Sequence, residues 1–233
     1  MALLTRHNTK LLKSQKYGWK SFGLHLSPHK LSGKNLCPNA SPGCISGCLH
    51  TAGQGVYQRV QDARLKKTVY FLVNRIDFLT NLKREINAKV NTAKRTGDKI
   101  SVRLNLTSDV VWESLKIDGK NLMEHFPTVM FYDYTKDDDR MLRFLMRKLP
   151  KNYHLTFSRS EKNDTACDIV SGCGGNVAIV FDKKLPRTYK GKRVISGDDH
   201  DLRFLDKKNV IVGLLAKGKA KKDTSGFVIK TRI

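Results

Sequence analysis

The spacing of apolar residues changes along the chain from strand-like to helix-like. Apolar side chains nearly alternate across "YGWKSFGLHL" before a Ser-Pro break at residues 27–28, which predicts a first β-strand. From residue 56 to residue 93 they recur at threes and fours among lysines and arginines, until "RTGD" ends the pattern. This spacing predicts two helices joined near residues 74–77.

After residue 97 the apolar segments become short. Two are helical patterns: "SDVVWESL", with Ser108 or Asp109 as its N-cap, and "DDRMLRFLMRKL", with acids in its first turn. The others predict strands: "ISVRLNL", "TVMFYDYT", "NYHLTFSRS", "GGNVAIVFD", "RVISGD", "NVIVGLLA" and "GFVIK". Strands separated by helices are typical of parallel sheets. We therefore predict an α/β fold in a single domain over residues 1–233, whose mostly parallel sheet forms an incomplete (β/α) barrel of about six to eight strands.

Three of the five cysteines fall in one loop, "NLCPNASPGCISGCLHTAGQG", residues 35–55. Cys37, Cys44 and Cys48 have the spacing C-x6-C-x3-C, and prolines and glycines between them introduce sharp turns. Converging thiolates suit a soft metal ion or an iron–sulfur cluster. Three unrelated buried cysteines are the weaker interpretation, because so polar a loop has little core in which to bury them.

Two kinds of metal site fit this loop. A structural zinc site needs four ligands, so His29, His50, Cys167 or Cys173 would have to complete it. A [4Fe-4S] cluster held by three thiolates instead leaves one iron open, and an open coordination position is typical of a reactive site. The residues alone leave both interpretations open.

The charge of the chain points to a polyanionic partner. Lys and Arg number 44 against 21 Asp and Glu, a formal net charge of +23, and the first acidic residue is Asp62. The C-terminal segment is also basic, with Lys217, Lys219, Lys221, Lys222, Lys230 and Arg232. We expect a nucleic acid or nucleotide to bind, in preference to a merely solvated lysine-rich surface. No recognition helix is visible, so sequence-specific reading of bases is not indicated.

Cysteine usage and hydropathy bear on the compartment. The cysteines are odd in number and clustered, unlike the disulfide framework of a small secreted domain. No apolar run approaches the ~20 residues of a membrane span. We expect a reducing cytoplasm and no membrane partner.

The position of the cysteine loop and the order of motifs suggest two resemblances. A three-cysteine loop after the first strand of a βα series resembles the radical S-adenosylmethionine enzymes, although their usual spacing is C-x3-C-x2-C. At whole-chain level the protein resembles the gene-product-88 family of bacteriophage proteins. The motifs that carry this likeness are "LSPH", the cysteine loop, "VRLNLTSDVVWE", "FYDYTK", "NYHLTFS", "NVAIVFD", "GDDHDLRFLD" and "VIVGLLAKGKAKKDTSGF".

The phage-family resemblance implies that Cys37, Cys44 and Cys48 belong to the family pattern, whereas Cys167 and Cys173 do not. It also selects residues at or beyond the ends of predicted strands: Asn105, Ser108, Asp109, Tyr132, Asp133, Lys136, Asp198, Asp201, Arg203 and Lys217. The radical-enzyme likeness implies that Asn105, Ser108 and Asp109 hold S-adenosylmethionine, with capping and turn formation as the equal alternative. The carboxylates and amine of Asp133, Lys136, Asp198 and Asp201 suit general acid–base catalysis or buried ion pairs.

Two functions follow as hypotheses. The first is a phage-encoded iron–sulfur protein with a [4Fe-4S] cluster, resembling a radical S-adenosylmethionine enzyme, that acts on a nucleotide or nucleic acid in the host cytoplasm. The second is a non-catalytic protein, stabilised by zinc or by a cluster, that binds nucleic acid through its positive charge.

Overall fold

One β-sheet runs through the whole protein. The structure is a computed structural model that describes residues 1–231, so Arg232 lies outside it. The strands are β1 (Leu4–Thr5), β2 (Trp19–Leu24), β3 (Lys99–Arg103), β4 (Met130–Thr135), β5 (Tyr153–Ser158), β6 (Val177–Phe181), β7 (Thr188–Tyr189), β8 (Lys192–Ser196), β9 (Ile211–Leu215) and β10 (Val228–Ile229). The α-helices are α1 (Thr9–Lys13), α2 (Pro42–Ser46), α3 (Gln58–Val73), α4 (Arg75–Thr96), α5 (Leu122–His125), α6 (Asp138–Leu145) and α7 (Asp164–Gly172).

Hydrogen bonding orders the strands as β1-β2-β3-β4-β5-β6-β9-β8-β7. Neighbours from β2 to β8 are parallel, and the short β1 and β7 add antiparallel strands at the two edges. β10 pairs in parallel with the end of β6. The prediction of an α/β fold with a mostly parallel sheet is therefore confirmed. In the described part of the chain the two edge strands do not pair with each other, so hydrogen bonds do not close the sheet.

Helices cover one face of this sheet. On α4, Phe78, Leu82 and Ile86 recur at helical spacing and are fully buried. They belong to the same apolar cluster as Val102 of β3 and as the other inward strand residues. α3 ends at Val73, where Asn74 leaves helical geometry, and α4 ends before Gly97, which has a left-handed conformation. These two residues delimit the two helices that the sequence predicted.

The opposite face holds most of the connection between β8 and β9: its residues 197–206, which we call the inner segment. Its Phe204 ring lies 4.8 Å from the Trp19 ring of β2 and 5.6 Å from the Tyr132 ring of β4, measured between centroids. Its Asp201 accepts a hydrogen bond from Arg103 of β3 at 2.8 Å. The inner segment begins at β8, near one edge of the sheet, and reaches β2, β3 and β4 toward the other edge. It occupies the space over this face of the sheet, which we call the hollow.

The N-terminal helix α1 holds the inner segment in place. Lys10 donates from Nζ to the Gly197 carbonyl at 2.9 Å, and Lys13 donates to the Asp198 carbonyl at 2.7 Å. The sequence indicated only a basic segment here. Two of its lysines are therefore used inside the fold rather than on an open surface.

One helix prediction is wrong. The segment "SDVVWESL" forms only a 3₁₀ turn over Trp112–Ser114, and neither Ser108 nor Asp109 caps it. The Asn105 side chain instead accepts the Val110 amide and donates to the Val110 carbonyl, both at 2.9 Å, which fixes this stretch as a loop. In residues 1–231, no helix combines the length and the apolar character that a membrane crossing requires.

Candidate metal and ligand site

A cavity of about 490 Å³ opens where the parallel strands end. Its wall contains Thr107 after β3, Lys136 after β4 and Lys217 after β9, together with the cysteine loop after β2. The carboxyl edge of a parallel sheet is where such folds collect their functional side chains, because the βα loops converge there. Most of the residues selected from the sequence meet at this cavity.

The three loop cysteines all line it. Cys37, Cys44 and Cys48 are partly buried and unpaired by disulfides. α2 begins between the first and second of them: Ser41 is its N-cap and accepts the Cys44 amide at 3.2 Å, with Pro42 at the first helical position. This short helix contains Cys44 and so fixes its position relative to Cys48, which follows the helix.

A carboxylate from outside the loop fixes α2. Glu161, just beyond β5, accepts the Ser41 hydroxyl at 2.6 Å and the Gly43 amide at 2.8 Å. A methyl group on Gly43 would come within 2.2 Å of the Ser225 hydroxyl and 2.7 Å of the Phe227 Cβ. Glycine is therefore required at this position, because the C-terminal segment packs directly on the loop.

The Cys37 sulfur belongs to a partly buried side chain. Cys37 Sγ accepts the His29 amide at 3.4 Å. Burial raises the pKa of the Cys37 thiol to about 12, and the neighbouring Cys48 and Cys44 thiols add to the rise. Without a metal ion or another strong cation, this thiol therefore stays protonated at neutral pH.

Cys48 lies near two positive charges. Burial raises the pKa of its thiol, whereas the His50 amide and the charges of Arg64 and Lys136 act in the opposite direction. Cations near a thiol favour its ionised, thiolate form, and they would also stabilise an anionic metal centre bound through that thiolate.

The donor chemistry fits a thiolate-bound metal centre. Within residues 1–231 no three Cys, His, Asp or Glu side chains stand close enough together to hold a metal ion as they are placed. The three thiols nevertheless face one cavity, and the pKa of Cys37 and of Cys48 each responds to Cys44. A soft metal or an iron–sulfur cluster is the group that such a set of donors prefers.

The candidate fourth ligands differ in position. Cys167 is buried in α7 and lines a separate cavity with Arg159, and Cys173 is exposed at the end of the same helix. His50 follows the cysteine loop directly, with Nδ1 3.5 Å from the guanidinium of Arg64. Of these side chains, His50 lies nearest in the chain to the three cysteines.

Asn105 and Ser108 organise the loop after β3. The Asn105 side-chain oxygen accepts the Ser108 hydroxyl at 2.8 Å, the Val110 amide at 2.9 Å and the Trp112 indole at 3.0 Å. Asn105 and Ser108 line the cavity, but their side-chain oxygens are engaged in these hydrogen bonds within the loop. The geometry favours turn formation over ligand contact for both.

Asp109 also lines the cavity while its carboxylate is bound elsewhere. One oxygen accepts Arg140 Nη1 at 2.9 Å, and the other accepts the Lys136 amide at 2.9 Å and the Thr135 hydroxyl at 3.2 Å. Burial raises the pKa of Asp109 and the Arg140 charge opposes the rise. Asp109 thereby joins the β3 and β4 loops to α6.

Asp133 lies away from the cavity, on the helix side of the sheet. Its carboxylate accepts the Asn105 amide at 2.7 Å and the Tyr153 hydroxyl at 2.8 Å and is fully buried. Burial raises the pKa of Asp133 to about 7. Nearby, Arg140 forms a two-point ion pair with Glu113, with both contacts at 2.9 Å. These buried polar groups join strands to helices.

The remaining residues selected from the sequence lie toward the hollow of the sheet. Asp198 pairs with Lys217 at 2.7 Å and with Lys10 at 3.2 Å. Burial works against ionisation of Asp198, but these two lysines outweigh it and hold its pKa at about 2. Asp201 is buried against Arg103. Both carboxylates line the cavity as parts of ion pairs.

Tyr132 and Arg203 are buried structural groups. Tyr132 packs on the inner segment, and Arg203 donates to the His200 carbonyl at 2.6 Å and pairs with Asp206 at 3.1 Å. They hold the inner segment against the sheet.

His25 and Arg64 are among the cavity residues that were not selected from the sequence. His25 follows β2 and contacts the Thr107 hydroxyl at 3.3 Å. Arg64 lies on α3 in register with Thr68 and Phe71, which are buried. That spacing of four and three residues was a usable signal, because it puts an arginine on the inward stripe of the helix.

The basic C-terminal segment is only partly free. Lys217 is paired with Asp198, whereas Lys219, Lys221 and Lys222 are exposed on the 3₁₀ turn Gly218–Lys222. This turn packs against the 3₁₀ turn that follows Cys48. Three exposed lysines therefore lie beside the cysteine loop.

Comparison with known proteins gives one match. Searches of curated proteins and of solved structures found nothing similar. The sequence profile described as gene product 88 matches residues 2–231, nearly the whole chain. The chain, with its cysteine loop at the mouth of a parallel sheet, belongs to the gene product 88 family of phage proteins.

Proposed function

We propose that this protein is an iron–sulfur protein in which Cys37, Cys44 and Cys48 bind a [4Fe-4S] cluster with one iron open to the cavity. The observation that carries the proposal is that the three thiols line one cavity at the carboxyl edge of the parallel strands. Three thiolates are one fewer than a cluster closed entirely by cysteines requires. The open iron would therefore face the space in which a ligand binds.

We propose the comparison with radical S-adenosylmethionine enzymes on one feature of the topology, the place of the cysteine loop. β2 is the first strand of the parallel series, and the cysteine loop follows it directly before α3 and α4 lead to β3. We propose that the open sheet acts as an incomplete (β/α) barrel. Within it the cluster would supply an open coordination site and an electron to S-adenosylmethionine or to a related ligand.

The protein's own residues have definable tasks in this proposal. Glu161 and Ser41 hold α2 and so orient the middle of the cysteine loop. The cations at the cavity would attract an anionic substrate, a nucleotide or the end of a nucleic acid. Host cytoplasm is the proposed location, because thiols stay reduced there.

A non-catalytic zinc protein that binds nucleic acid is the second candidate. It is favoured by His50, which follows Cys48 closely in the chain, and by the exposed Lys219, Lys221 and Lys222 beside the loop. In this alternative the metal stabilises the loop and the lysines contact phosphates.

Metal analysis separates the two candidates. The protein is purified without oxygen and assayed for iron, acid-labile sulfide and zinc. A brown protein with about four iron atoms per chain and matching sulfide supports the first candidate. A colourless protein with about one zinc per chain supports the second and overturns the first.

A further inference from the structure

Arg64 is a buried cation without a carboxylate partner. Its side chain is 7% exposed and lines the cavity. Within residues 1–231 no acidic side chain lies within ion-pair distance of its guanidinium, and its buried Nε has no hydrogen-bond partner. Its one side-chain contact is His50 Nδ1 at 3.5 Å. A buried charge of this kind costs free energy unless something pairs with it.

Lys136 is another cation for which residues 1–231 provide no carboxylate within ion-pair distance. Its Nζ donates to the Ser158 hydroxyl at 2.9 Å and lies 5.9 Å from the centre of the Phe227 ring. The nearby Asp109 carboxylate is already bound to Arg140 at 2.9 Å. The Lys136 ammonium therefore has hydrogen-bonding capacity left toward the cavity, which it lines.

Other cations at the same cavity have carboxylate partners, although Lys10 and Lys217 share Asp198. Arg103 pairs with Asp201 at 2.8 Å, and Lys217 pairs with Asp198 at 2.7 Å. Arg64 and Lys136 stand out against this pattern, and the charges of both reach the Cys48 thiol. Arg64, Lys136 and Cys48 all line this one cavity.

The local field around Arg64 is positive. Burial, together with Arg64, Arg103 and Lys67, lowers the pKa of His25 to about 3. Arg64 is one of the cations whose charge reaches this histidine, and no carboxylate in residues 1–231 pairs with it.

We propose that Arg64 and Lys136 together bind the phosphate group of a nucleotide-sized ligand in the cavity beside Cys48. Two unit positive charges match a phosphate dianion, and a guanidinium with a free Nε edge suits its oxygens. The cavity of about 490 Å³ is large enough for the attached nucleoside. The inference rests on the proposed function for the role of this ligand in a reaction, although the phosphate contact itself needs no cluster.

The test is equilibrium binding of small probes to the full chain at constant ionic strength. AMP, CMP, GMP and UMP, inorganic phosphate, adenosine and methionine are each titrated by calorimetry. We expect at least one nucleoside monophosphate to bind and adenosine not to bind. Arg64→Met and Lys136→Met should each weaken that binding by about tenfold or more, the loss typical of one charged hydrogen bond.

Matched controls are Lys94→Met and Arg95→Met, which remove exposed cations from α4. They should leave binding unchanged. The proposal is overturned if no monophosphate binds, if methionine binds in place of the nucleotides, or if the four variants behave alike. Lys136→Met serves as an independent test if Arg64→Met does not fold.

Iron content distinguishes this inference from the proposed function. Arg64→Met and Lys136→Met should retain the iron of the unaltered protein, since neither replaces a thiolate. Iron without nucleotide binding overturns the phosphate site alone. Nucleotide binding without iron in the unaltered protein overturns the cluster and leaves the phosphate site in place.

Discussion

The Glu161 carboxylate accepts a hydrogen bond from the Gly43 amide at 2.8 Å and so connects the end of β5 to the cysteine loop. Its other oxygen accepts the Ser41 hydroxyl. Burial disfavours the charge of Glu161, but these hydrogen bonds outweigh it and lower its pKa. The position of the cysteines in the loop therefore depends on a residue more than a hundred positions away in sequence.

Glu161→Ala should weaken metal binding while all thiols remain. Loss of a residue that orients ligands typically costs about 10–100-fold in metal affinity. Glu161→Gln keeps an acceptor for one of the two donors and should lose less. Competition with a chelator measures both affinities, and an unchanged affinity in Glu161→Ala would contradict this role for the carboxylate.

Serine substitutions should separate the five cysteines into two groups. Cys37→Ser, Cys44→Ser and Cys48→Ser should each abolish stoichiometric metal binding, because the two remaining thiolates cannot replace the lost bond. Cys167→Ser and Cys173→Ser should retain the metal, since α7 places both outside the cavity of the cysteine loop. Iron and zinc are measured after identical anaerobic preparation. Metal loss in either α7 variant would mean a closed, four-ligand site.

Gly43→Ala should destabilise the protein and disturb the loop. The added methyl group would meet the Phe227 Cβ at 2.7 Å, so the C-terminal segment must shift, at a typical cost of about 1–3 kcal/mol. Gly172→Ala is the matched control: no atom lies within 4 Å of the added carbon, and alanine should stabilise the helix by up to about 1 kcal/mol. Urea unfolding gives both values, and equal effects would argue against tight packing at Gly43.

His25 should make the protein sensitive to acid. Its pKa is about 3 in the folded state, because it is buried among cations, against an ordinary value of 6.5. Below pH 6.5 the unfolded chain takes up a proton that the folded chain does not, so stability falls with falling pH, by at most about 1.4 kcal/mol per pH unit. His25→Gln removes this contribution. Urea unfolding from pH 7 to pH 4 should show the advantage of the native residue shrinking as pH falls, and a constant difference would refute the assignment.

Nucleic-acid binding should depend steeply on salt if the exposed C-terminal lysines contact phosphates. The logarithm of affinity should fall linearly with the logarithm of salt concentration, with a slope of roughly −0.7 to −0.9 per phosphate neutralised. Replacing Lys219, Lys221 and Lys222 by glutamine should flatten the slope, whereas Lys13→Gln should change it less, because Lys13 is bound to the Asp198 carbonyl. Absence of binding at low salt would exclude this partner.

The sequence predicted those parts of the fold that depend on local periodicity. Near-alternation identified β2, short apolar runs identified the later parallel strands, and the three-and-four spacing identified α3 and α4. It also located the cysteine loop at the end of the first parallel strand. These features follow from one segment and its immediate pattern, so they need no knowledge of distant contacts.

The roles of single polar residues were harder to predict. Asp133 lies within the predicted strand "TVMFYDYT", where it shares a face with Phe131, and both are fully buried beneath the helices. Alternation along β4 would have indicated this, because side chains two apart point the same way. The lack of a partner for Arg64 is different in kind. It depends on which carboxylates the fold brings near, and no local pattern contains that information.

The inner segment determines how much free volume the interior of this fold contains. In a closed barrel the number of strands and the stagger between them fix the diameter of the interior. Here residues 197–206 occupy the hollow, so the free volume is set by the length and side chains of one connection. An insertion or deletion in that connection would therefore enlarge or reduce the free volume of the cavity while the strand pairings stay the same.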